Sequence, residues 1–158
     1  MRVPKVLTAL LFFPGAPFGA ATTDMCTTNT CKAGTQAVTY ATKEEPHYSC
    51  PTREPADYSS FVLGLTAMDA MMGVFPNISD KTGEPETKDQ IKNMMDTLRT
   101  AAHVSSFDEA IALCHSGKKG RKALVINVPE DALLAVYVHD LKSNMNYWMP
   151  IGSLDKKP

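Results

Sequence analysis

The chain has 158 residues, with 16 Lys and Arg against 17 Asp and Glu and a formal charge of −1. So even a balance gives no electrostatic footing for nucleic acid or for an anionic membrane surface. The length fits one domain of ordinary size.

The first 21 residues read as a signal peptide. Arg2 and Lys5 make a positive start, residues 6–13 an apolar run, and Gly19-Ala20-Ala21 offers small residues for cleavage after Ala21. The run is too short to span a bilayer, which needs about 20 apolar residues. Pro14 and Pro17 would break a buried helix there. Cleavage leaves about 137 residues, 14 basic and 17 acidic, at a formal charge of −3. No later stretch is long and apolar enough to cross a membrane, so the expected location is periplasmic or secreted, with no membrane span in the mature chain.

Residues 22–56 form a polar, Thr-rich, Cys-containing arm, with one short strand near Ala37-Val-Thr-Tyr-Ala41. Cys26, Cys31 and Cys50 lie in this arm, and Cys114 follows far downstream. Four cysteines in an exported chain favour disulfides, with three pairings open. The preferred pairing is Cys26–Cys31 with Cys50–Cys114, a local clamp and a long tie. Loop entropy gives them about 2 and about 4 kcal/mol respectively. The competing reading is a zinc site from Cys26, Cys31, His47 and Cys50, whose types and spacing suit the metal. Thiolates of that kind belong mainly to reducing compartments, so the expectation is no metal and no cofactor.

Residues 57–158 read as a single α+β domain. Tyr58, Phe61, Val62, Leu65, Met68, Met72 and Phe75 recur at helical spacing and predict a helix over 58–75, capped by Asp57 and stopped by Pro76. Its other faces are also apolar, with Asp69 the lone charge. A second helix over 88–103 opens on a capping box, Thr87-Lys-Asp-Gln90, and carries Ile91, Met94, Met95, Leu98 and Ala102 as one stripe. A third over 107–116 opens on Ser106-Phe-Asp-Glu109 and closes at Gly117. Strands follow at 122–128, 132–139 and 145–151. The expected fold is α+β, three helices followed by a small antiparallel three-stranded sheet, disulfide-stapled.

No catalytic motif is legible. There is no Gly-x-Ser-x-Gly elbow and no His-Glu-x-x-His pair, and His47, His103, His115 and His139 stand singly. The basic loop Gly117-Lys-Lys-Gly-Arg-Lys122 follows a helix and lacks a Gly-Lys-Ser/Thr ending, so it is no P-loop. A small domain has difficulty covering a helix that is apolar all round, and methionine adapts to irregular partners. The candidate partner-binding residues are therefore Phe61, Met68, Met71 and Met72 on the first helix, with Lys118, Lys119 and Arg121 of the basic loop.

Between Cys50 and Cys114 three segments, Phe61-Val-Leu-Gly64, Gln90-Ile91 and Ala110-Ile-Ala-Leu-Cys114, form a recognisable outline. It resembles the small periplasmic immunity proteins that protect bacteria against type VI secretion peptidoglycan-amidase toxins. This chain has Tyr58 where that family places a cysteine, and lacks the family's second cysteine before helix two. The resemblance implies a non-enzymatic protein that binds and blocks a secreted enzyme or toxin. The expected function is thus an exported soluble binding or inhibitory protein acting by protein–protein contact. The alternatives are a periplasmic accessory or assembly factor of a secretion or conjugation system, and a small secreted hydrolase with a non-local site.

Overall fold

The computed structural model describes residues 26, 31–40, 46–130 and 134–155. The signal segment over 1–21 lies outside the described residues, as does the start of the strand expected from 132. In chain order the elements are β1 (Gln36–Thr39), β2 (Tyr48–Ser49), α1 (Arg53–Met71), α2 (Asp89–Ala101), α3 (Phe107–Ala112), β3 (His115–Ser116), β4 (Lys122–Asn127), β5 (Ala135–Asp140), β6 (Met145–Pro150) and β7 (Leu154–Asp155), with a 3-10 turn at Ile151–Ser153.

The class is α+β, but the sheet is not the expected three-stranded meander. It has five strands in the order β6-β5-β4-β1-β7, all neighbours antiparallel, and β2 and β3 form a separate ribbon. The expectation placed a short strand near Ala37–Ala41 but left it in the arm, outside the sheet, and it missed β7. Residues 36–39, read as part of a polar arm, run between β4 and β7 with Ala37 opposite Ala123 and Thr39 opposite Leu154. Ala37 and Thr39 are both buried. Four residues give too little alternation to announce an inner strand, and the partners lie more than 80 residues downstream.

The hairpin from β5 to β6 is the part of the sheet most strongly specified locally. Asp140 accepts hydrogen bonds from the Lys142 and Ser143 N–H groups, and Asn144 supplies the left-handed residue, at φ +57°. Alternate side chains then fall on two faces. Val136, Val138 and Met149 join Ala37, Val125, Leu154 and the Cys26–Cys31 disulfide in one cluster. Ala135 and Trp148 pack instead with Cys50 and with Ala56 of α1.

Helix ends differ from expectation for local reasons. α1 begins at Arg53, not at Asp57, because Pro55 in the first turn lacks only an N–H that has no helical partner there anyway. It ends at Met71, ahead of Pro76, because Gly73 turns left-handed at φ +72°; Gly73 N–H then donates to Ala70 C=O and Val74 N–H to Asp69 C=O. α2 ends the same way through His103 at φ +55°. The capping box expected at Thr87 does not form: Lys88 is the N-cap, without a side-chain bond, and the Thr87 hydroxyl is buried with no partner. The Ser106 cap does form, accepting from Glu109 N–H, while Glu109 reaches back to Ser105.

α3 stops at Ala112 because the chain must straighten into β3 and pair with β2. Gly117 does not close that helix. It lies against the ring of buried His47, where a Cβ would sit 1.9 Å from Nε2. We expect Gly117→Ala to destabilise the fold by about 1–3 kcal/mol, the usual cost of overpacking. Gly64→Ala, whose added carbon meets nothing within 4 Å among the described residues, should hold or raise stability, because alanine is the better helix former. Urea melts on both variants check this. A Gly117→Ala protein as stable as wild type would mean that the imidazole can step aside at no cost.

Candidate functional site

α1 behaves as two half-helices. In the first, Tyr58 and Val62 are buried against Met95 of α2, Ala102 at the end of that helix and Ala110 of α3, with Phe61 and Leu65 partly buried beside them. Past Leu65 the helix loses this cover. Met68 and Met72 are exposed, Met71 is 86 % exposed, and the surface continues into Val74, Phe75 (91 % exposed) and Ile78. The structure thus brings Met68, Met71 and Met72 into one open apolar surface. Phe61 stands apart from it, on the packed side.

The basic loop divides similarly. Lys118 and Lys119 are exposed, and the Lys119 ammonium lies 5.6 Å from the centre of the Tyr40 ring. Arg121 is engaged in the fold: its Nε and Nη2 donate to the buried Asp140 carboxylate at 3.0 and 2.9 Å. Burial pushes the Asp140 carboxyl up, but the Ser143 and Lys142 N–H groups and the Arg121 guanidinium outweigh it and hold the group below its ordinary range. The loop itself is pinned through Thr39, whose hydroxyl donates to Lys118 C=O and accepts from Arg121 N–H.

The zinc set does not assemble. Cys26 is bonded to Cys31 and Cys50 to Cys114, so its three sulfurs lie in two different disulfides. Among the described residues no group of three or more His, Cys, Asp and Glu side chains could hold a metal ion. His47 is 1 % exposed, and among the described residues neither ring nitrogen meets a partner with hydrogen-bond geometry. Burial holds its pKa below the ordinary histidine value, and the backbone of Tyr40 pulls the other way.

Sequence reasoning missed a buried ionic network between the helices. Glu84 accepts from the Tyr58 hydroxyl at 2.6 Å and from Arg99 Nη1, while Arg99 Nη2 reaches Asp96 at 2.5 Å. Burial and the Glu84 contact push the Tyr58 phenol well above its ordinary pKa. Each Glu84 oxygen is occupied by a donor, as suits a strut between α1, α2 and the connecting loop. The signals were an acidic residue inside a loop of otherwise turn-forming residues and an arginine at the end of an apolar helix stripe, neither of which names its partner.

The second missed feature is a groove of about 430 Å³ between α1 and the end of the sheet. Leu63, Gly64 and Ala67 form its helix side, and Leu134, Pro150 and Ile151 its sheet side, with Tyr40 and Ala70 also lining it. No protein-family model, curated protein or solved structure matches the chain.

Two outcomes test this account of the buried polar groups. His47 is held neutral in the fold and titrates normally when unfolded, so the unfolded chain takes up its proton first as pH falls. Stability should therefore be full above pH 6.5 and decline as pH drops below that value, at no more than about 1.4 kcal/mol per pH unit from this one group. Melts between pH 7.5 and 5 should show a flatter profile for His47→Gln, and an unchanged slope would assign the acid sensitivity elsewhere. In the helix network, Tyr58→Phe should cost about 1–2 kcal/mol, whereas Arg99→Met should cost about 3–5 kcal/mol by stranding a buried carboxylate. Chemical denaturation ranks the two, and the reverse order would refute the strut.

Proposed function

We propose that this is an exported binding or inhibitory protein that acts by contact with a protein partner, without catalysis. The observation that carries the reading is the open end of α1, where Met68, Met71, Met72, Val74, Phe75 and Ile78 all face outward. Exposed apolar surfaces of this kind mark interaction sites more often than they occur idly, and flexible thioethers suit an irregular partner. Lys118 and Lys119 add exposed positive charge from the basic loop. All four cysteines are bonded, which suits an oxidising compartment such as the periplasm. No helix among the described residues is long and apolar enough to cross a membrane. The outline shared with amidase-immunity proteins makes a secreted enzyme or toxin the partner of choice.

The variants Met68→Gln, Met71→Gln and Met72→Gln test the surface. Met71 and Met72 are already largely in water, so their variants should stay within about 0.5 kcal/mol of wild-type stability; Met68, half exposed, should lose no more than about 1 kcal/mol. Capture of a protein partner from periplasmic extract should weaken, most of all for the triple variant. Variants that unfold far below wild type, or that capture the partner undiminished, would remove this end of α1 from the interface.

A further inference from the structure

The open end of α1 is also where the chain is most exposed to oxidation. All four cysteines are tied in disulfides, so an oxidant meets no thiol. The next group to react is the methionine thioether. Of the nine methionines, Met1 and Met25 lie outside the described residues. Met95 and Met149 are buried, each inside a cluster. Met71 is 86 % exposed, Met72 63 % and Met68 49 %, and Met94 on α2 and Met145 at the start of β6 are exposed as well.

The three methionines of α1 share a face, since residues three and four apart are neighbours on a helix surface. None of them belongs to a buried cluster among the described residues. The turn that ends the helix is closed by backbone groups, Gly73 N–H to Ala70 C=O and Val74 N–H to Asp69 C=O. A change of polarity at these sulfurs therefore leaves the fold standing. It does alter the surface, because a sulfoxide makes a flexible apolar side chain polar and chiral. An apolar partner surface would then have to cover an S=O group without a hydrogen bond, which is costly.

We propose that Met71, with Met72 and Met68, is an oxidation site at which sulfoxide formation by a peroxide switches off partner binding without unfolding the protein. A lone pair on Sδ attacks one oxygen of hydrogen peroxide. The S–O bond forms as the O–O bond breaks, and the proton of the transferred oxygen leaves with the departing hydroxide as water. The sulfur is oxidised and the peroxide reduced. Methionine sulfoxide reductases reverse the step, taking an electron pair from thiols and releasing the oxygen as water. The effect on binding rests on reading this end of α1 as the interface; the chemistry rests on exposure alone.

Titration of the purified, disulfide-intact protein with hydrogen peroxide, followed by peptide mass spectrometry and thermal melts, tests the chemistry. Met71 should be modified first, Met72 and Met68 well ahead of Met95 and Met149, with the melting temperature held until the buried pair reacts. Over the same titration, capture of the protein that the untreated chain retains from periplasmic extract should fall several-fold. Met94→Leu with Met145→Leu, which removes the exposed thioethers outside α1, should leave that fall intact. The triple variant Met68→Leu, Met71→Leu and Met72→Leu should capture equally before and after peroxide. Sulfoxide on Met95 or Met149 as early as on Met71, or unfolding in step with the first modification, would overturn the site. A triple leucine variant that still loses capture on oxidation would place the effect elsewhere and overturn it too. Full oxidation of all three with capture undiminished, while the glutamine variants lose capture, refutes the switch alone. Undiminished capture by both the oxidised protein and the glutamine variants refutes the interface, and the switch with it.

Discussion

The Cys50–Cys114 disulfide is the constraint on which the arrangement of this molecule depends. It closes a loop with a sequence separation of 64, for which the chain-entropy model gives about 4 kcal/mol. More than the energy, its position matters. Cys50 bridges Trp148 of β6 through paired N–H and C=O groups, stands just before α1, and follows the ribbon strand β2. Cys114 leaves α3 and enters β3, the other half of that ribbon. One covalent bond therefore joins the helices, the ribbon and the sheet edge. It needs to, because among the described residues the buried side chains fall into three separate clusters, not one core. The cluster holding Cys50 is the smallest, and it is the one that lies between the other two elements of the design.

That division decides the shape of α1. Its first half is anchored twice, by the disulfide junction through Ala56 and by the Tyr58–Glu84–Arg99 strut. Both anchors act before Val62. Nineteen helical residues extend about 28 Å, and packing against α2 and α3 continues only as far as Leu65. The remainder projects with one side over the groove and another into solvent. The open methionines and the open groove are thus two consequences of one geometry: a helix held firmly at its start and not covered at its end.

The local elements were legible in the sequence and the long-range ones were not. The three helices follow from 3.6-residue periodicity, and β4 to β6 from runs of branched and aromatic residues, with ends displaced by a few positions. The displacements trace to Gly73 and His103 adopting left-handed conformations, which overrule Pro76 as the stop signal and shorten α2. A short strand near Ala37–Ala41 was legible but its place in the sheet was not, and β7 was invisible, because two- to four-residue strands carry almost no pattern and pairing partners across the chain leave no mark in either segment. The candidate surface was partly legible. Three methionines on a helix apolar all round raised the question of cover, but only the positions of α2 and α3 say which residues are left without it. Phe61 and Arg121 show the limit: an aromatic on the same helix and a cation in the same loop are both held inside the fold. The groove had no sequence signature, since its walls come from residues 40, 63–70 and 134–153, and Gly64 reads equally well as a flaw in a helix.

Gly117 and His47 illustrate how a residue can be required for reasons its neighbours hide. The sequence suggests a helix stop and a metal ligand. The structure instead presses the one against the other, and the pair holds the end of the ribbon where the Cys50–Cys114 bond needs it. His47 C=O accepts from Gly117 N–H at 2.8 Å while its ring lies where Gly117 has no side chain. The same contact fixes the start of the basic loop, which Thr39 then pins at Lys118 and Arg121. With both ends of that loop fixed to β1 and the ribbon, Lys119 is held beside the Tyr40 ring. The covalent junction, the buried imidazole and the pinned basic loop therefore form one continuous chain of contacts, from Cys50 through β2 and Gly117 to Thr39.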